Sequence, residues 1–297
     1  MSANSCSIVS RLLPVGLLLI AMASIQGGAS MAASIFPAIG PAATTSLRLI
    51  MAAVLLMALF RPWRKPVARS EWPNIAIYGV ALASMNFLFY QALAHIPLGI
   101  AVALEFTGPL TVALLSSKRR LDLLWVAVAI AGLAVLLGTD HGDSGSLDMY
   151  GVACALGAGA CWAAYILFGQ KAGAVSGLNS AIWGITIGAI VIAPIGLFGT
   201  DSAIFAPEVL WVALGVAILC TAMPYTLEMI ALPRLPTQTF GTLMSLEPAF
   251  GALSGLLFLG QTLGLLQWLA IAAVISASIG TTVTGDSAEP IETPYPD

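Results

Sequence analysis

The chain has 297 residues, of which 59% are hydrophobic and 8% charged, with a formal net charge of −3. A soluble globular domain carries about 25% charged residues, so this chain cannot cover a water-facing surface and reads as an integral membrane protein. With roughly 20 apolar residues per spanning helix, its length leaves room for about ten spans.

Read between charges, prolines and short polar stretches, the apolar runs fall near 12–33, 40–60, 72–94, 97–116, 121–138, 149–170, 178–199, 208–231, 236–259 and 263–283. The first run follows Arg11 as a signal peptide would. It is too long for a signal core and fits as the first of an even-numbered set of spans. Residues 284–297 are acidic and proline-rich and read as a disordered tail. Cys154, Cys161 and Cys220 lie in apolar runs and Cys6 in the N-terminal tail. No disulfide is expected of them, and no metal-ligand spacing accompanies them.

Basic residues set the orientation. Arg11 precedes span one, Arg61, Arg64, Lys65 and Arg69 follow span two, and Lys118, Arg119 and Arg120 follow span four. Lys171 follows span six and Arg234 span eight. The opposite loops carry acids instead, among them Asp140, Asp143, Asp148, Asp201 and Glu208. Ten of the eleven basic residues thus fall on one side, and the other, Arg48, lies inside span two. Both termini are expected in the cytoplasm.

The chain also repeats itself. At an offset of 139 residues Pro97 matches Pro236, Leu104 matches Leu243, Pro109 matches Pro248, and Ala113-Leu114 match Ala252-Leu253. Five spans per half is an odd number, so the halves, 12–138 and 149–283, are expected to lie in the membrane with opposite orientation. Such inverted repeats place a binding site at their interface near the midplane.

Four ionisable residues fall within spans: Arg48, Glu105, Glu228 and Glu247. Such groups are costly in hydrocarbon and usually face a bundle interior. At 1.5 Å per residue, Arg48 and Glu105 both lie roughly 12 Å below the outer surface, where they could pair, either as a lock between helices or as a functional charge pair. Glu247 lies about 16 Å from the inner face and reads equally as a structural group or as a contact for an ammonium or a coupling proton. Glu228, near Arg234, reads as an interfacial carboxylate. Pro109 cannot donate to the carbonyl of Glu105, which leaves an acceptor for a cation or simply a kink that packs helices. Gln26, Tyr78, Asn86, Tyr90, Trp162, Tyr165, Tyr225 and Thr226 lie at matching depths. Trp63, Trp72, Trp125, Trp211 and Trp268 fit an interfacial belt, whereas the central Trp162 reads as a cavity wall or as core packing. Gly184/Gly188 and Gly251/Gly255 read as packing seams.

The runs AMASIQGGAS (21–30), PLGIAVALEFTGPL (97–110), ALGAGACWAAYIL (155–167) and TAMPYTLEMIALPRLPT (221–237) closely resemble the EamA family of the drug/metabolite transporter superfamily, and within it the exporters of small amino acids. The resemblance extends over all ten spans. It implies an all-α integral membrane fold, with ten transmembrane helices as two inverted five-helix repeats around a central cavity. It further implies export of threonine, homoserine and similar amino acids across the bacterial inner membrane. Carried onto this chain, the family's cavity maps to Gln26, Tyr78, Asn86, Glu105, Trp162, Tyr165, Tyr225 and Glu247 as substrate-binding candidates. Gln261, in GQTL, departs from the glutamate that often follows this glycine in family repeats.

No Ser–His–Asp, Walker or zinc-type spacing occurs, so neither an intramembrane enzyme nor an ATP-driven pump is indicated, and no cofactor or nucleic acid is implied. A channel, a lipid flippase or a nucleotide-sugar transporter would want several basic residues in the cavity, and only Arg48 is available. The expected partners are an amino-acid substrate, the lipid bilayer and protons, with the protein a monomer or weak homo-oligomer. Export of aromatic or other metabolites, or uniport without protons, stays open as the alternative.

Overall fold

The computed structural model describes residues 3–64, 67–116, 121–138, 148–198, 202–224, 227 and 242–284. Among these the regular structure is helical, with no strand. Six helices are long and apolar enough to cross a membrane: 13–33, 36–60, 72–93, 149–169, 178–197 and 242–259. Four shorter apolar helical stretches occupy 98–112, 124–138, 207–222 and 265–280. Each of the six and the four overlaps one of the ten apolar runs of the sequence, with 36–60 and 207–222 starting ahead of theirs. Glu228, Arg234 and residues 285–297 of the proposed tail lie outside the described residues, and Thr284 ends the last helix.

Helix α1 (Ala3–Ala33) is followed by α2 (Phe36–Phe60). Pro37 sits in the first turn of α2, where a missing N–H costs nothing. The helix therefore begins before the expected residue 40, and Gly40 instead forms a kink at φ 76°, a conformation glycine adopts without a Cβ clash. Helix α3 (Trp72–Leu93) leads through Pro97 into α4 (Leu98–Glu105). All eight residues of α4 are buried, as an apolar-all-round helix requires. Its first N–H donates to the Gln261 side-chain oxygen at 2.9 Å, so the departure at Gln261 serves as a cap from the other half of the chain.

Span four is helical over 98–112 with an interruption at Phe106, whose backbone stays in the right-handed helical region at φ −64° and ψ −13°. It parts at Phe106 into α4 and α5 (Thr107–Ser116). Pro109 removes the donor for the Glu105 carbonyl, and its ring crowds that oxygen. Span nine parts in the same way at Ser245-Leu246, just ahead of α10 (Glu247–Leu259). The two breaks stand at the offset of 139 residues that relates Pro109 to Pro248.

The other elements are α6 (Leu121–Gly138), α7 (Met149–Ser176), α8 (Leu178–Leu197), α9 (Pro207–Ala217) and α11 (Leu265–Thr284). Only Gly177, at φ 50°, separates α7 from α8. Helix α9 continues as a π-helical turn, Ile218–Ala222.

The principal contacts run between the two halves. Helix α3 packs on α7 and α8, α2 on α8 and α9, and α6 on α11. Helix α4 packs on α10 and α7, α5 on α7, and α1 on α10 and the π-helical turn. The glycines sit where backbones meet. A Cβ on Gly108 would strike the Gly159 carbonyl, and one on Gly159 would fall 2.6 Å from the Glu105 carbonyl oxygen. Gly184 and Gly188 meet Tyr78 and the Gly79 carbonyl, and Gly251 and Gly255 meet Val102 and Leu98. Trp125 packs against Gly280 of α11. Leu59, Phe198, Trp211, Leu257 and Leu265 are exposed on the outside of the bundle, the apolar surface a lipid-facing helix presents.

One ion pair joins elements outside the bundle core. His95, after α3, meets Asp148, before α7, at 2.6 Å. The Tyr150 backbone N–H, and then the His95 ring, hold the Asp148 carboxyl below its ordinary range. A depressed carboxylate contributes stability above its unfolded pKa and loses it as pH falls through the folded value. Thermal melts of purified protein on the acid side should therefore fall less steeply for Asp148→Asn than for wild type. Separately, Gly159→Ala should lower stability by about 1–3 kcal/mol through overpacking against backbone. Gly138→Ala, with open space around its Cβ, should melt like wild type.

Candidate functional site

A cavity of about 460 Å³ lies among helices of both halves. Its walls come from α1, α2, α3, the breaks in spans four and nine, α7, the end of α9 and α11. Of the residues singled out from the sequence, Gln26, Arg48, Asn86, Glu105, Trp162, Tyr165 and Glu247 line this one space. Tyr78 is not among its lining residues. Its ring packs 4.9 Å from that of Tyr165 and fills the gap left by Gly184 and Gly169, so it stands behind the wall. Tyr225 lies outside the described residues.

Three charged side chains share the cavity, each more than nine-tenths buried: Arg48 at 8%, Glu105 at 7% and Glu247 at 6% exposure. Their surroundings differ. Gln26 Nε2 donates to Glu247 Oε1 at 3.3 Å, tying α1 to the start of α10. Arg48 Nη1 donates to Tyr90 Oη at 3.1 Å and Nη2 to the Cys220 carbonyl at 3.4 Å. The guanidinium carbon stands 5.3 Å from the Tyr90 ring centroid, in cation–π range. Arg48 and Glu105, whose depths allow them to pair, face the same cavity and interact electrostatically across it. Glu105 faces the cavity at the broken end of α4 with no hydrogen-bond partner among the described residues.

The backbone around Glu105 is accounted for. The hydroxyl of Thr107 donates to the Leu104 carbonyl at 2.7 Å. The Glu105 carbonyl, freed by Pro109, lies against the backbone of Gly159 rather than offering itself to the cavity as the sequence suggested. Asn86 Nδ2 donates to the Leu82 carbonyl at 2.7 Å, leaving its side-chain oxygen to the cavity. Phe106 and Trp162 form an edge-on pair with ring centroids 5.7 Å apart, an apolar wall beside the carboxylate.

The site can thus present a buried carboxylate, a fixed guanidinium and an apolar wall to one small molecule. Among the described residues no group of three or more metal-ligating side chains occurs. Sequence reading passed over Phe106, Met244, Pro224 and Ser278, which also line the cavity. Pro224 carried a legible signal, since it follows Cys220 by four residues just as Pro109 follows Glu105. The other three are ordinary core residue types with no such mark.

Residues 149–283 match the EamA-like transporter family. Over 272 residues the chain is 53% identical to the threonine/homoserine exporter RhtA of Escherichia coli (strain K12), covering 92% of each chain. It is 52% identical to RhtA of Salmonella typhimurium (strain LT2) over 272 residues, again 92% of each. An uncharacterized transporter of Bacillus subtilis (strain 168), YwfM, is 28% identical over 246 residues, 79% of this chain and 82% of its own. A solved crystal structure superposes with a TM-score of 0.61 at 20% identity, covering 93% of this chain and 99% of the other, a likeness of fold alone. A family match in the second half, joined to more than half identity along nearly the whole length, makes this chain a member of the EamA-like transporter family.

Proposed function

We propose that this protein is a secondary transporter that exports threonine, homoserine and similar small neutral amino acids from the cytoplasm across a bacterial inner membrane by alternating access. The observation that carries this reading is Glu105: a buried carboxylate on a cavity wall, without a hydrogen-bond partner among the described residues. A charge so placed is costly unless a ligand or a proton completes it. A zwitterion supplies an ammonium for Glu105 and a carboxylate for Arg48, and the names of the relatives at 53% and 52% identity point to the same substrates.

Ten spans in two inverted five-helix repeats accord with the matched breaks at Phe106 and Ser245 and with the pairing of helices. Exchanging the halves sends the contact of α3 with α7 onto that of span eight with α1, and that of α4 with α7 onto that of α10 with α1. The one-sided distribution of lysine and arginine supports cytoplasmic termini. Glu105 is also the residue best placed to carry an exchanged proton, because Glu247 is engaged by Gln26. Uniport without proton coupling is the second reading, favoured by the same Arg48–Glu105 arrangement if the carboxylate serves the ammonium only.

Proteoliposomes loaded with radiolabelled threonine, homoserine, methionine and phenylalanine, with and without an imposed pH gradient, test the proposal. The small amino acids should leave faster than phenylalanine, and the gradient should accelerate them. No transport of any amino acid would refute the exporter reading. Glu105→Gln should lower threonine flux by at least about tenfold, the loss expected when a charged hydrogen-bond partner is removed, and should abolish the response to the gradient. Flux and gradient response both unchanged would remove Glu105 from the mechanism.

A further inference from the structure

The π-helical turn at the end of α9 sits beside Arg48 and has a cause in the sequence. In a continuous α-helix the Cys220 carbonyl would accept the N–H of residue 224, but residue 224 is proline. The Met223 N–H also shifts, donating to the Ile218 carbonyl five residues back and leaving the Leu219 carbonyl. Both oxygens are taken by side chains of the first half. Ser24 Oγ of α1 donates to Leu219 O at 2.6 Å, and Arg48 Nη2 of α2 donates to Cys220 O at 3.4 Å. The Cys220 thiol returns a contact to the Ile25 carbonyl at 3.3 Å. Single π turns inside α-helices often mark functional sites.

The second anchor of Arg48 is Tyr90. This tyrosine is fully buried, yet it lines the cavity, and it is braced by Phe36 and Phe89 at ring-centroid distances of 5.6 and 6.1 Å. Its hydroxyl takes Nη1 while its ring lies 5.3 Å from the guanidinium carbon. A guanidinium is a rigid planar fork, so contacts to Nη1 and Nη2 from two elements of different halves set both its place and its plane. A lysine, a flexible point charge, could not be held by both.

We infer that Tyr90 and the carbonyl of Cys220, freed by Pro224, are positioning groups that aim Arg48 at the carboxylate of the transported amino acid. This rests on the proposed reading of Arg48 as the carboxylate contact. Tyr90 touches the substrate only through the guanidinium. Because the two anchors belong to α3 and to the π-helical turn, the aim holds only while α2, α3 and the end of α9 keep this arrangement. The carboxylate is thus gripped in one state of the transporter, and the grip loosens when the halves move.

The test uses full-length protein in proteoliposomes, with threonine and its amino alcohol threoninol, which keeps the ammonium and loses the carboxylate. Tyr90→Phe retains the ring and removes the hydroxyl. It should raise the KM for threonine by about tenfold, the scale of a hydrogen bond to a charged group, with the maximal rate little changed. The inhibition constant of threoninol should stay where it is. An equal loss for both compounds would show a merely structural tyrosine, and no change for threonine would show that Tyr90 aims nothing; either overturns the inference. A double-mutant cycle decides independently: in the Arg48→Lys background Tyr90→Phe should cost nothing further, and additive effects would overturn the inference as well. Failure of wild-type protein to transport threonine at all would instead overturn the exporter reading, a distinct result.

Discussion

Within a bilayer core no water is at hand to satisfy a backbone carbonyl, so each proline inside a span leaves an oxygen that other parts of the protein must meet. Two prolines do so at the cavity of this transporter. Pro109 frees the Glu105 carbonyl, and Gly159 of α7 comes close enough to cover it because neither Gly159 nor Gly108 has a Cβ. Pro224 frees the Cys220 carbonyl, and Arg48 of α2 reaches it. The breaks that prolines impose are thus also the points at which helices of opposite halves are bound to one another.

The same constraint places the chemistry. A charged side chain is tolerated in a membrane protein where it faces the interior and finds polar company. Arg48 finds it in the Tyr90 hydroxyl and the Cys220 carbonyl, and Glu247 in Gln26. The contacts of Arg48 with Cys220 and of Gln26 with Glu247 cross between halves, whereas that of Arg48 with Tyr90 lies within the first half. Glu105 differs, because its position at the broken end of α4 turns its carboxylate to the cavity with no described partner. The two buried glutamates thus differ in their surroundings: Glu247 is hydrogen-bonded across the halves and Glu105 faces the cavity.

The interleaving of halves also explains why the cavity has mixed walls. Helix α3 runs against α7 and α8, and α4 against α10, so the space at the centre is bounded by both halves of the chain. Phe106 and Trp162 come from opposite halves, as do Arg48 and the Cys220 carbonyl.

Much of this was legible in the residues themselves. Composition required a membrane, the apolar runs located the helical segments, and the buried charges and the prolines spaced twelve apart named the centre of the protein. These are local properties, set by the cost of moving polar groups into hydrocarbon and by the missing proline N–H. Only the tertiary structure decided which of the polar residues at one depth look into a common space. Tyr78 and Tyr165 are alike in type and depth, yet one stands behind the wall and the other lines it, because the missing Cβ of Gly184 makes room for the first ring. Depth along a helix follows from rise per residue, but rotation about its axis follows from neighbours. For that reason the guanidinium of Arg48 meets Tyr90 and Cys220, partners 42 and 172 residues away in the chain.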